Sequence, residues 1–174
     1  MSIYTIDKEN AQLHISKGNT KLGKGIYTFS TLPGNKDHML ILNKTGVLLT
    51  DVPGTCSKYC EGCFTGGCYA VNSAKLHHNA VIRAWAENTL LLRSGKLFKE
   101  LDAFIDKKNK DPKKPTIKQF RINVSGEITK CNELESWNAL AIKHPEIQFG
   151  IYTKNFDALE EFITIHPEGT AANF

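Results

Sequence analysis

The chain has 174 residues, of which 41% are hydrophobic and 23% are charged, values that are ordinary for a globular domain. Its net charge of +4 is too small to identify a nucleic-acid-binding protein by itself. No uncharged apolar run reaches the length of a membrane span, and the first residues lack the pattern of a signal peptide. We therefore expect one cytoplasmic domain over residues 1–174 with no membrane partner.

Residues 1–50 predict a β-rich N-terminal segment. Short apolar and β-branched runs lie between turn residues such as Pro33-Gly34. The predicted strands are 13–15, 25–31, 38–42 and 47–50. A cysteine-containing loop, residues 51–71, follows the last of them.

Residues 72–174 predict helices that alternate with strands. Apolar residues recur at helical spacing over 72–93, 96–107, 132–144 and 156–164, and the predicted strands are 116–124 and 146–153. Asn72 or Ser73 can cap the first helix and Gly95 can end it, while Asn132 and Glu135 are spaced like a capping box. This alternation is typical of βαβ units, so we predict an α/β fold with a parallel sheet.

One basic run extends from Lys107 to Lys114. Its two prolines and scattered polar residues favour a solvated linker. Contact with nucleic acid is the weaker alternative, because a single run is not a basic surface.

Four of the five cysteines lie within thirteen residues, at Cys56, Cys60, Cys63 and Cys68, and the first three are spaced C-x3-C-x2-C. Thiolates this close repel one another unless a positive centre lies among them. Cysteine-only ligation suits an iron–sulfur cluster or zinc. The fifth, Cys131, is most simply a free thiol.

The spacing favours an iron–sulfur cluster over zinc. Most zinc sites pair two C-x2-C knuckles across a longer loop, whereas these four cysteines share one short loop. His77 and His78 lie in a predicted helix and are expected to contact solvent or other side chains. Three thiolates on a [4Fe–4S] cluster would leave one iron open. Disulfides are the weakest option in a reducing compartment.

The parallel sheet predicts which loops meet. Loops at the carboxyl ends of parallel strands lie along one edge, where sites are commonly built. The cysteine loop, the turn Ser125-Gly126-Glu127 and Lys154 all follow predicted strands. We expect them to face one another, although each also has a plainer interpretation as a strand-ending turn or a solvated side chain.

Two resemblances follow from these motifs. The C-x3-C-x2-C loop resembles that of the radical S-adenosylmethionine (SAM) superfamily. The combination over residues 45–156 resembles the phage and prophage gene-product-eighty-eight family. Its residues here are Thr55-Cys56, Cys68-Tyr69-Ala70, Arg121-Ile-Asn-Val-Ser-Gly-Glu127, Trp137 and Tyr152-Thr-Lys-Asn155.

The radical-SAM resemblance implies a partial parallel (βα) barrel. Three loop cysteines would bind three irons, Ser125-Gly126-Glu127 would hold the SAM amine, and Lys154 would meet its carboxylate. The Cys-Tyr-Ala motif makes Cys68 an alternative ligand. The sequence departs from the superfamily pattern at three positions. Gly62 stands before Cys63, where the superfamily usually has an aromatic residue, Ser125 replaces a glycine, and Ile128 replaces a proline.

The implied function is reductive cleavage of SAM, with an external electron donor and an unknown substrate. The alternative is a non-enzymatic module in which zinc or a cluster staples the loop, so that the surface binds nucleic acid or a protein partner.

Overall fold

The computed structural model describes residues 9–18, 25–34, 52–60, 62–63, 66–111 and 116–174, without the side chains of residues 75 and 77–79. The strands are β1 (Ser16–Lys17), β2 (Ile26–Thr28), β3 (Gln119–Ile122) and β4 (Gln148–Ile151). The α-helices are α1 (Tyr69–Arg93), α2 (Leu97–Asn109), α3 (Cys131–Lys143) and α4 (Phe156–Ile165), and a 3₁₀ turn covers Lys58–Cys60.

The strands form one sheet in the order β1-β2-β3-β4. β1 pairs antiparallel with β2, whereas β2, β3 and β4 run parallel to one another. The α/β class is therefore confirmed, and the sheet is mixed, with three of its four strands parallel. β2 falls within the predicted β-rich segment, yet it is the first parallel strand of the sheet and pairs with β3.

The two faces of the sheet differ in burial. Tyr27, Phe120 and Phe149 lie in one register row and are buried. Their neighbours Gln119 and Gln148 are paired across β3 and β4 and are exposed. The buried row joins side chains of all four α-helices in one apolar core, so the helices cover one face of the parallel strands.

Helix α1 begins earlier than the sequence predicted. Its N-cap is Cys68, and no side chain caps it, so the predicted cap at Asn72 or Ser73 is wrong. Its end is as predicted. Gly95 has φ of +72°, and the amides of Gly95 and Lys96 bond to the carbonyls of Leu92 and Leu91, which is a Schellman motif.

Helix α3 is not opened by the predicted capping box. Its N-cap is Lys130, which makes no side-chain cap, and Asn132 lies inside the helix. Glu133 acts instead, because its Oε2 accepts from both the amide and the hydroxyl of Thr129 at 2.8 Å. The hydrogen bonds from Thr129 to the Glu133 carboxylate therefore stand where the sequence predicted a capping box of Asn132 and Glu135.

Several other predictions have direct outcomes. No strand forms at 13–15, since β1 begins at Ser16. The predicted strands 38–42 and 47–50 lie outside the described residues.

Lys107 and Lys108 of the basic run lie in the last turn of α2, where cations complement the helix dipole. Within the described part of the chain, none of the helices has the length and apolarity that a membrane span needs.

Candidate metal and cofactor site

The predicted site residues line one cavity of about 390 Å³. Cys56, Cys60, Cys63 and Cys68 all contribute to it. It also takes in Pro33 beyond β2, Val124–Glu127 beyond β3, and Tyr152–Lys154 beyond β4. We call residues 31–34, 52–60, 124–127 and 152–154 the rim. The carboxyl ends of the three parallel strands therefore meet the cysteine loop.

Buried polar side chains of α1 fix the chain beyond β2. The Asn88 amide donates to the Ser30 carbonyl at 2.9 Å, and the Leu32 amide donates to the Thr89 hydroxyl at 2.9 Å. Asn88 and Thr89 are both fully or almost fully buried. The segment that leads from β2 to the cavity is consequently held by the helix beside it.

The cysteine loop pairs with that segment. The amides of Thr55 and Cys56 donate to the carbonyls of Leu32 and Gly34, each at 3.0 Å. The approach is so close that a Cβ on Gly54 would lie 1.9 Å from the Gly34 oxygen. Only glycine fits here, so Gly54 sets the position from which the cysteines begin.

A pair of threonines joins this segment to the turn after β3. Thr55 Oγ1 accepts from the Glu127 amide at 2.9 Å and lies 2.8 Å from Thr31 Oγ1. Gly126 has φ of +81°, and a Cβ there would lie 1.9 Å from Thr31 Oγ1. The glycine of Ser125-Gly126-Glu127 is thus required by both its backbone angle and its contacts.

The Glu127 carboxylate is buried and has four donors. Oε1 accepts from the Ile128 amide at 2.8 Å and from the Thr153 hydroxyl at 2.7 Å. Oε2 accepts from the Lys154 amide at 2.7 Å and from the Cys60 thiol at 3.8 Å. A carboxylate has about four acceptor positions, so Glu127 ties β3, β4 and the cysteine loop together.

The four loop cysteines differ in their surroundings. Cys60 is buried, Cys56 and Cys68 are half-buried, and Cys63 is exposed. Burial raises the pKa of the Cys56 thiol to about 12; the Gly34 N–H bond opposes this shift, and nearby Cys60, Cys68 and Glu127 add to it. Without a cation among these groups, the thiol form of Cys56 is favoured. Cys131 lies elsewhere, in the apolar core.

The turn that carries Cys60 is docked on the start of α4. The Tyr59 hydroxyl donates to Asp157 at 2.6 Å, and Lys58 lies 2.8 Å from the same carboxylate. The rings of Tyr59 and Phe156 pack edge to face at 5.3 Å. Tyr59 and Phe156 therefore hold the Cys60 turn against the element that follows β4.

Two residues of the turn after β3 have unusual environments. Asn123 adopts φ of +51°, a left-handed conformation that non-glycine residues rarely take. Ser125 lines the cavity, and its Oγ has no hydrogen-bond partner among the residues that the structure describes. An unpaired buried hydroxyl costs stability, and strained residues of this kind concentrate at functional sites.

Sequence reasoning identified the cysteines and the turns but missed the residues that connect them. Thr31 lies in no motif, and Thr153 and Asn155 lie in the motif Tyr152-Thr-Lys-Asn155 without a predicted role. The Asn155 amide donates to the carbonyls of Ile128 and Thr129, while its oxygen caps α4. The available signals were the position of Thr55, directly before the first cysteine, and the motif from Tyr152 to Asn155.

A second group of potential metal ligands comprises Asp102, Asp106 and His144. Their side chains already have partners, since Lys143 and His144 both contact Asp102 and Lys110 contacts Asp106. Hydrogen bonds from Lys143 and His144 hold the pKa of Asp102 below its ordinary value. This group is an ion-pair network between α2 and the end of α3.

Comparison with known proteins identifies a family. The family model described as Gene product 88 matches residues 13–174, in agreement with the resemblance drawn from the cysteine loop and the turns. No curated protein matches the chain. No solved structure matches it either.

Proposed function

The chain belongs to the Gene product 88 family, and from its own site we propose that it is an iron–sulfur protein that binds S-adenosylmethionine beside a [4Fe–4S] cluster. One observation carries the proposal. Four cysteines, the turn Ser125-Gly126-Glu127 and Lys154 line a single cavity. Its volume of about 390 Å³ lies within the usual range of small-molecule sites, about 300–1,000 Å³.

The donor set fits such a cluster. Soft thiolate ligands favour iron–sulfur clusters, zinc and copper(I). The Gly34 amide lies 3.0 Å from Cys56 Sγ and donates to it, and hydrogen bonds to ligand sulfurs tune the potential of such clusters. When bound, a reduced cluster supplies the electron for cleavage of SAM.

The turn after β3 supports a neighbouring polar ligand. As a thiolate ligand, Cys60 no longer donates to Glu127, so the acceptor position at Oε2 becomes available toward the cavity. That position suits the ammonium group of SAM, and Lys154 suits its carboxylate. The unpaired hydroxyl of Ser125 adds a further polar contact.

The departures from the superfamily turn have physical consequences. Ile128 supplies an N–H to Glu127 Oε1, which a proline could not do. Ser125 replaces a glycine, while Gly126 remains where a side chain would collide with Thr31. The turn thus keeps the glycine that its geometry requires and holds its carboxylate with an added backbone bond.

A partial (βα) barrel is part of this proposal. In doubly wound sheets helices cover both faces, whereas in a barrel they form one outer layer. Here the helices pack on the face of Tyr27, Phe120 and Phe149, and the opposite face of β3 and β4 carries exposed residues. A partial barrel with an open inner face accounts for this asymmetry.

A non-enzymatic metal module is the second candidate. All four cysteines line the cavity, and four thiolates complete a tetrahedral zinc site or close all irons of a cluster. With no open iron there would be no position for SAM, and the metal would serve only to hold the cysteine loop in one conformation.

Metal analysis separates the two candidates. After anaerobic reconstitution we expect about four irons and four sulfides per chain and visible absorbance that bleaches on reduction. Cys60→Ala should lose the cluster, and the matched Cys131→Ala should retain it. Stoichiometric zinc without iron uptake would favour the module, and equal iron in both variants would exclude the loop as the site.

SAM binding tests the enzymatic part. Calorimetry on the reconstituted protein should detect SAM, and Lys154→Gln should weaken binding about tenfold, the effect of losing one charge-assisted bond. Glu127→Gln should weaken it at least as much. With a chemical reductant, the parent should slowly release 5′-deoxyadenosine and methionine. A full cluster without SAM binding or deoxyadenosine would contradict the enzymatic proposal.

A further inference from the structure

We propose that the cavity rim binds single-stranded nucleic acid and presents one base to the cysteine-lined cavity. The assignment of nucleic acid as the substrate rests on the proposed function. The binding itself is a separate claim that follows from aromatic side chains, cations and the open face of the sheet.

The first observation is the distribution of exposed aromatic rings. Among the described residues, every aromatic side chain that is exposed lies on or beside the rim. Tyr69 and Tyr152 line the cavity and are 72% and 83% exposed, while Tyr59 and Phe156 pack against each other beside Cys60 and Lys154. Exposed apolar side chains that cluster, rather than lie singly, mark interaction or ligand-binding sites.

The second observation is the charge beside these rings. The Arg121 guanidinium lies 5.8 Å from the centre of the Tyr152 ring, and Lys154 lines the cavity. Neither has a carboxylate partner within the part of the chain that the structure describes. Lys58 lies 4.9 Å from the centre of the Tyr59 ring and neutralises Asp157. Arg121, on β3 beside the rim, therefore offers an unpaired cation next to the Tyr152 ring, whereas Lys154 is assigned to the SAM carboxylate in the proposed function.

The third observation is the open face of the parallel strands. Gln119, Arg121 and Gln148 are exposed on this face, and Tyr152 follows directly where β4 ends. A chain crossing the ends of β3 and β4 would pass Arg121 and Tyr152 before it reached the cavity. Tyr152 both follows β4 and lines the cavity, so it connects the end of this strand with the cysteine site.

These features together match single-stranded nucleic acid better than other ligands. Bases stack on exposed aromatic rings with little sequence preference, while the backbone follows cationic side chains. A base in an unpaired strand can enter a cavity without the cost of opening a duplex. An acidic protein would pair with Arg121 but would not need the exposed rings of Tyr69 and Tyr152 in the lining of the cavity.

The test uses the reconstituted protein and a fluorescent oligothymidylate of about twelve nucleotides, within the usual site size. Anisotropy should show binding that weakens as salt rises. Tyr152→Ala should weaken it about tenfold, and Tyr152→Trp should restore it. Ile142→Ala removes an equally apolar, 64% exposed side chain from the end of α3 and should bind like the parent.

Charge and stacking can be separated by salt dependence. Arg121→Gln should reduce the slope of log affinity against log salt by about one, and Tyr152→Ala should leave that slope unchanged. The matched control is Lys99→Gln, an exposed cation of α2, which should keep the parent slope. Equal binding by the parent and Tyr152→Ala, or no binding at low salt, would overturn the inference.

Iron content and SAM binding are measured on the same samples. If the parent protein binds SAM but does not bind the oligonucleotide, this inference is overturned and the proposed function stands. Oligonucleotide binding without SAM binding would support this inference and contradict the proposed binding of SAM. Tighter binding of a duplex than of the single strand would also contradict the inference, because the rings could not then stack on bases.

Discussion

The helical layer and the rim are held by different kinds of contact. In the helical layer, the fully buried ring of Trp137 packs against Phe29, Phe98 and Phe120 at centroid distances of 5.6, 5.0 and 6.1 Å. At the rim, the central contacts are hydrogen bonds between Thr55, Glu127 and the backbone.

Because of this difference, we expect the helical layer to determine the stability of the fold and the rim to determine the geometry of the site. Apolar packing is non-directional and scales with buried area, so the helical layer supplies most of the free energy of folding. Hydrogen bonds add little net stability each but fix distance and angle. We expect changes in the helical layer to reduce stability most, and changes at the rim to reduce metal and ligand binding more than stability.

The largest expected effect is that of Trp137→Ala. Removing this ring leaves a cavity among three aromatic neighbours, and such changes cost about 3–5 kcal/mol in the free energy of unfolding. Urea denaturation of the metal-free protein measures it. Protein that remains folded should still take up iron after reconstitution, because Trp137 does not line the cavity.

Two controls accompany this change. Trp137→Phe keeps an aromatic ring in place and should cost less than Trp137→Ala. Ile142→Ala, on the exposed side of α3, should stay within about 0.5 kcal/mol of the parent. If Trp137→Ala cost no more than Ile142→Ala, the core assignment would be wrong.

Gly126→Ala should have the second-largest effect, and it should act on the rim. The new Cβ would lie 1.9 Å from Thr31 Oγ1 and 2.5 Å from Thr55 Oγ1, at a φ of +81°. A left-handed non-glycine residue costs on the order of 1–3 kcal/mol, and displaced threonines would also move the cysteine loop. Iron uptake should therefore fall by more than the loss of stability explains.

The matched control for that change is Gly150→Ala in β4. A Cβ at Gly150 meets no atom within 4 Å, so stability and iron uptake should both remain close to the parent values. Parent-like iron uptake by Gly126→Ala would show that the threonine pair does not position the loop.

The sequence predicted the helical layer well because its signals are periodic. The spacing of Leu97, Leu101 and Ile105 predicted α2, and all three are buried. The end of α1 at Gly95 was also predicted correctly, because it depends on the backbone angle of one residue. Helix starts were predicted poorly. The caps at Asn72 and Asn132 were wrong because Cys68 and Lys130 occupy the cap positions without capping side chains.

The rim could be predicted only in outline. Parallel strands bring their carboxyl ends together, and this placed Glu127 and Lys154 beside the cysteines. Which atoms bond across the rim depends on tertiary contacts between distant segments, such as the close approach of Gly54 to Gly34. No local pattern encodes that Thr31 meets Thr55, or that Glu127 accepts from the chain after β4.

The smallest expected effect tests whether polar anchoring is confined to the rim. Glu87 of α1 is almost fully buried and holds the segment before β1. Its carboxylate accepts from the Gln12 amide at 2.9 Å and contacts His14 at 3.0 Å and Arg83 at 2.6 Å. Burial raises its pKa, but the bonds to Arg83, His14 and Gln12 outweigh burial and lower the pKa below its ordinary value of 4.5.

Because the folded-state pKa is depressed, the stabilisation by Glu87 is fully present well above pH 4.5. It is lost as the pH falls below that value and through the folded pKa. Glu87→Gln should reduce the free energy of unfolding near neutral pH by on the order of 1–2 kcal/mol and flatten its acid limb. Denaturation curves between neutral and acid pH measure both effects. Glu100→Gln, on the exposed side of α2, is the control and should reproduce the parent curve. If Glu87→Gln kept the parent's acid limb, Glu87 would not anchor the segment before β1, and the bonds between Asn88 and His14 would be its polar anchor to α1.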